Sequence, residues 1–156
     1  MKDDNNNKIV VVERTFNAPR TLVWQAWTKS EKLSQWWSPD MFTIPVCELD
    51  VRVGGKARID MKGPDGTIYP SLGEYTEVIE LEKLTCVTSP LDAAGNKLFE
   101  VRQTAEFTEM GSKTKLTYTS EVISFTKAAE PYLAGMEPGL NQSIEKLEDF
   151  LKSEVV

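Results

Sequence analysis

Residues 47–61 read CELDVRVGGKARIDM, and their alternation decides the fold. Cys47, Leu49, Val51 and Val53 alternate with Glu48, Asp50 and Arg52. After Gly54-Gly55, Ala57, Ile59 and Met61 alternate with Arg58 and Asp60. A side-chain period of two belongs to a strand with one dry and one wet face, and a glycine pair between two such runs predicts a hairpin. No helix opening on GK[ST] follows Gly54-Gly55, so a phosphate-binding loop is set aside.

The same pattern continues downstream. Gly63-Pro64-Asp65-Gly66 has turn chemistry in the expected places, and strands are predicted at about Ile68 to Glu80, Leu84 to Ser89, Lys97 to Thr108 and Thr114 to Ile123. The connections are short, which favours antiparallel hairpins over parallel crossovers and gives a meander of six strands. Phe99, Val101, Ala105 and Phe107 are assigned to the dry face. Arg58, Asp60, Arg102, Glu106, Thr117, Thr119 and Glu121 are assigned to the solvated one.

Upstream, KIVVVERTF (Lys8 to Phe16) is β-branched and strand-like. Asn17-Ala18-Pro19 punctuates it, and Leu22, Val23, Ala26 and Trp27 recur at helical spacing over about Pro19 to Thr28. Ser30 is placed to cap a second short helix with Leu33, Trp36 and Trp37 on its apolar side. At the other end, Leu133, Met136, Leu140, Ile144, Leu147 and Leu151 form the stripe of an amphipathic helix. Pro131 and Pro138 divide it, so an approach segment ends near Gly135 and the main helix runs from about Pro138 to Ser153. Residues 1–8 read as a flexible polar segment and residues 9–153 as one domain, whose class is α+β.

The totals restrict the chemistry. Eighteen Lys and Arg against 24 Asp and Glu give a net charge of −6, without a cationic cluster, so neither nucleic acid nor an anionic membrane surface is an expected partner. No apolar run is long enough to span a bilayer and the start lacks a signal-peptide core, so the expected location is cytoplasmic. The chain contains no histidine, which excludes Ser-His-Asp and Cys-His catalysis and the common zinc and iron ligand sets. Cys47 and Cys86 read as small buried hydrophobes. No metal, cofactor or catalytic residue is assigned.

The order strand, two short helices, six-strand meander, long C-terminal helix is the helix-grip arrangement. RTLVWQAW (Arg20 to Trp27), SQWWSP (Ser34 to Pro39), ELDVRVGG (Glu48 to Gly55), PDG (Pro64 to Gly66), GEY (Gly73 to Tyr75) and GMEPGLNQSIEKL (Gly135 to Leu147) occur in one order along nearly the whole chain. In these the sequence resembles the START-related family typified by the C-terminal domain of the heat-shock protein 90 ATPase activator. One departure is that Leu140 follows Gly139 where many relatives carry an aromatic residue.

The resemblance implies an apolar cavity between the sheet and the C-terminal helix and a small hydrophobic ligand within it. Trp37, Phe42, Tyr75, Phe99, Val101, Tyr118, Met136, Leu140 and Ile144 are the expected wall, taken from alternation and helical spacing. A second reading is a cavity enzyme of cyclase, dehydratase or hydrolase type, using Tyr75 or Tyr118 with Asp60 or Glu106. A third is a protein partner, either a chaperone in a stress response or a second copy paired through a sheet edge. Eukaryotic activators carry a separate chaperone-binding domain for which 156 residues leave no room, so co-chaperone activity is carried over least.

Overall fold

The structure, a computed structural model, describes residues 9–125 and 135–155. Strand β1 (Ile9–Phe16) leads into helices α1 (Arg20–Thr28) and α2 (Ser30–Leu33). Six strands follow: β2 (Thr43–Leu49), β3 (Lys56–Lys62), β4 (Ile68–Ile79), β5 (Lys83–Pro90), β6 (Phe99–Met110) and β7 (Lys113–Phe125). Helix α3 (Met136–Val155) closes the order. The approach segment expected around Pro131 and Leu133, and the segment 1–8, lie outside the described residues.

All strand pairs are antiparallel, in the spatial order β1-β7-β6-β5-β4-β3-β2. The meander β2 to β7 is built from hairpins, and β1 joins its far edge by pairing with β7 from Ile9↔Glu121 to Phe16↔Thr114. Consecutive strands β1 and β2 are therefore at opposite edges, roughly six strand spacings of about 4.8 Å apart. Helices α1 and α2 cover that distance, which is why a helix pair interrupts the strands at this point.

A four-residue helix has too few hydrogen bonds to persist alone, and packing holds α2 in place. Trp36 is fully buried and donates its indole N–H to the carbonyl of Ala26 at 3.0 Å, tying the segment after α2 back to α1. Trp27 meets the Trp36 and Trp37 rings at centroid separations of 4.7 and 5.8 Å and stacks on Tyr118 at 5.1 Å. Helix α3 packs against β1 and α1, burying Ile144, Leu147 and Leu151. Arg14–Glu148 and Lys32–Glu154 ion pairs lie beside it, at 2.8 and 2.6 Å.

Three local expectations are corrected. Strand β2 stops at Leu49 rather than Val53, because residues 50–55 turn back on themselves: Asp50 N–H donates to Lys56 O and Gly54 N–H to Tyr75 O, leaving Val53 exposed at 65%. Ser30 is the first helical residue and not a cap; the cap position is Lys29, without a side-chain bond. Helix α3 begins at Met136, with Pro138 inside its first turn, where a missing N–H costs nothing.

Candidate functional site

The concave face of the sheet is not completely filled. A cavity of about 60 Å³ lies between it and the helix pair, several times the 10–15 Å³ that one water needs. Leu49, Ala57 and Ile59 of β2 and β3, Tyr75 of β4, Leu84, Cys86 and Thr88 of β5, Gln103 and Ala105 of β6, and Tyr118 of β7 form the sheet side. Trp27, Leu33 and Trp37 form the helix side. Each strand contributes alternate residues, as the pleat requires. Gly73 matters by having no side chain: a methyl there would come within 2.9 Å of Cys86 Sγ and 3.2 Å of Thr88 Cγ2, pressing both wall residues inward.

The lining carries no charged side chain. The lining residues that carry a polar atom are two tyrosines, a cysteine, two tryptophans and the Thr88–Gln103 pair, in which Gln103 Nε2 donates to Thr88 Oγ1 at 2.7 Å. Burial pushes the Cys86 thiol up to about 12, and raises the hydroxyls of Tyr75 and Tyr118 above the ordinary phenol value, again chiefly by desolvation. Cys47, packed behind this region, is raised to about 11 for the same reason, against the opposing Ser30 hydrogen bond. All four groups stay protonated at neutral pH, so neither thiol supplies a nucleophile there.

Of the nine expected wall residues, the structure brings Trp37, Tyr75 and Tyr118 to this cavity. The other six are placed elsewhere. Phe42 meets the ring of Tyr69 at a 45° tilt with centroids 5.9 Å apart. Phe99 and Val101 face inward as alternation requires, but farther along β6, where they form a separate cluster with Leu98, Val122 and Met136. Ile144 is fully enclosed in the main core and Leu140 packs against that core. Among the described residues no side chain of α3 lines the cavity, which is bounded by the helix pair instead.

Periodicity missed Gln103 and Thr88, although a polar residue between Val101 and Ala105 on a dry face is the signal that could have found them. The carboxylates of the enzyme reading are not brought to the tyrosines. Asp60 is buried against the guanidinium of Arg58, with contacts of 3.3 Å, Glu106 is exposed, and neither lines the cavity. Among the described residues no group of three or more Cys, Asp or Glu is arranged to hold a metal ion. Among the described residues no helix is long and apolar enough to cross a membrane.

A seven-stranded antiparallel sheet with an inserted helix pair and a C-terminal helix defines a helix-grip, START-like domain, of a general kind that binds ligands. The chain belongs to the family described as activator of Hsp90 ATPase homolog 1-like protein, whose model matches residues 17–152. Among solved structures, a protein of Arthrobacter aurescens is similar at 25% identity and a TM-score of 0.83, over 97% of this chain and 90% of that one. A protein of Staphylococcus epidermidis is similar at 27% identity and a TM-score of 0.77, over 99% and 93%. The AHSA1 protein of Silicibacter pomeroyi, at 20% identity and a TM-score of 0.77 over 94% and 99%, shares the fold. No curated protein matches the chain.

Proposed function

We propose that the chain binds and carries a small hydrophobic molecule in the cavity between the sheet and the helix pair. The observation that supports this is a pocket open on one side, walled by apolar and aromatic side chains of the sheet and the helix pair and without a charged side chain in its lining. Protein interiors normally leave few voids larger than a water molecule, because the lining atoms lose dispersion contacts across the gap. A ligand that fills the space supplies those contacts and adds its own transfer out of water. Trp37, Tyr75 and Tyr118 are the proposed ligand contacts among the residues expected from sequence.

The test is titration of the full chain with toluene, followed through the methyl resonances of Leu49, Ile59 and Leu84. Saturable shifts confined to these methyls are expected, with loss of the response in Ala105→Leu, which places three further carbons in the cavity. Ala57→Leu, on another strand, serves if Ala105→Leu does not fold. Absence of saturable shifts in the native chain, or an unchanged response in a folded variant, would overturn the reading. Native mass spectrometry of freshly purified protein then asks which molecule it retains.

A further inference from the structure

We infer that Gly73 sets the width of apolar ligand that the cavity admits, because it gives the side chains of Cys86 and Thr88 room to lean over β4 instead of over the cavity floor. This inference rests on the proposed ligand-binding role and adds the position that decides among ligands.

A glycine inside a strand weakens it, having no side chain to pack, and such a glycine often marks a place where a ligand or another stretch of chain comes close. Gly73 lies in the middle of β4, and its backbone does not call for glycine, since its φ is outside the left-handed region. The neighbouring strands supply the reason. Leu49 is paired with Ala57, Ala57 with Gly73, and Gly73 with Thr88. Residues directly opposite one another share a face of the sheet, and Leu49, Ala57 and Thr88 all line the cavity. Gly73 is the member of this row with no side chain to put there.

Its two neighbours on β5 use the room. A methyl on Gly73 would stand 2.9 Å from Cys86 Sγ and 3.2 Å from Thr88 Cγ2, so both would have to give way. Thr88 is held on its other side by the bond from Gln103 Nε2 to its Oγ1 at 2.7 Å. Cys86 is free to turn about one bond between staggered positions. Its inward neighbours are Leu84 and Thr88 along β5 and, directly opposite, Tyr75 and Gln103. All four line the cavity, so a sulfur displaced from Gly73 moves into cavity space. The surface of that space is almost wholly apolar and its lining carries no charge. Fit, not a polar contact, therefore tells one ligand from another, and the ligand class is an uncharged hydrocarbon group graded by its width.

Toluene and isopropylbenzene differ by two methyl groups on the carbon beside the ring. Both are titrated into the full chain, with the methyl resonances of Leu49, Ile59 and Leu84 as readout. The isopropylbenzene-to-toluene affinity ratio is expected to fall about tenfold in Gly73→Ala, the lower end of what one methylene is worth in an apolar pocket. Adding Cys86→Ala is expected to restore the ratio, because it removes the nearer obstacle. A loss of stability alone affects both probes alike and leaves the ratio unmoved. If Gly73→Ala does not fold, Cys86→Ala in the native background decides, and its ratio is expected to rise. An unchanged ratio in the deciding variant would overturn this inference while leaving the ligand-binding role standing. A fall that Cys86→Ala does not reverse would also overturn it. Binding of neither probe to the native chain would overturn both.

Discussion

The place where a side chain of Gly55 would begin is already occupied. A methyl carbon built there falls 1.9 Å from the carbonyl oxygen of Asp50 and 3.0 Å from that of Arg52. Both obstacles are backbone, so no rotamer change relieves them, and Gly55 N–H is meanwhile held by Arg52 O at 2.8 Å. Gly55→Ala must open the β2–β3 connection and disturb the bond from Tyr75 N–H to Gly55 O that braces a cavity wall. A loss of about 3 kcal/mol or more is expected in urea unfolding, at the exceptional end for one substitution. A loss under about 1 kcal/mol would mean that this turn has another geometry. The glycine pair was legible as a hairpin from sequence. Which of the two glycines is sterically obligatory was not, because the obstacle is the chain's own backbone folded back five residues away.

At the scale of elements, α3 illustrates how far local rules reach. Its apolar stripe predicted a helix, and Ile144, Leu147 and Leu151 are buried as the spacing requires. Its start was misplaced by two residues, because a proline is as acceptable in the third helical position as in the first. Gly139, one residue on, is helical: an added methyl lies 3.5 Å from Pro39 Cγ, ordinary contact, and meets no other heavy atom within 4 Å among the described residues outside its own helix. Gly139→Ala therefore removes a helix-weakening residue without a clash, and a gain of about 0.5–1 kcal/mol is expected in the urea midpoint. A destabilised variant would show that the loop carrying Pro39 needs the glycine. That loop is anchored to α3 by Lys146 Nζ, which donates to Ser38 Oγ at 2.8 Å and Pro39 O at 3.3 Å.

For the molecule as a whole, the buried titratable groups set the pH range of stability. Cys86 stays protonated up to about 12 and Cys47 up to about 11, against an ordinary 9.0, and both cavity tyrosines titrate above 10.0. In each case the folded state holds a proton that the unfolded chain releases earlier. Their contribution is complete below about pH 9 and declines as pH rises toward the folded values. Lys146 acts oppositely: burial lowers its value below 10.5 despite Asp40, so stability rises as it deprotonates. The acids outnumber it, and alkaline destabilisation is expected to begin near pH 9. Cys86 alone contributes a slope of up to about 1.4 kcal/mol per pH unit in that window. Urea unfolding at pH 8 to 11 should therefore show a shallower decline for Cys86→Ala than for the native chain; parallel declines would count against burial of this thiol.

The sequence by itself determined the order of elements, the antiparallel meander, the burial of the C-terminal stripe and the family, because each rests on local periodicity, turn residues and short motifs that do not depend on distant contacts. Alternation correctly put Phe99 and Val101 on the inward face. Only the tertiary structure decided which part of that face stays open. Met136 covers the far end of β6, Ile144 and Leu147 fill the region under α3, and the space left over falls beneath Trp27 and Trp37. A cavity is what remains after every other side chain has been placed, so its position depends on long-range packing that no run of residues contains.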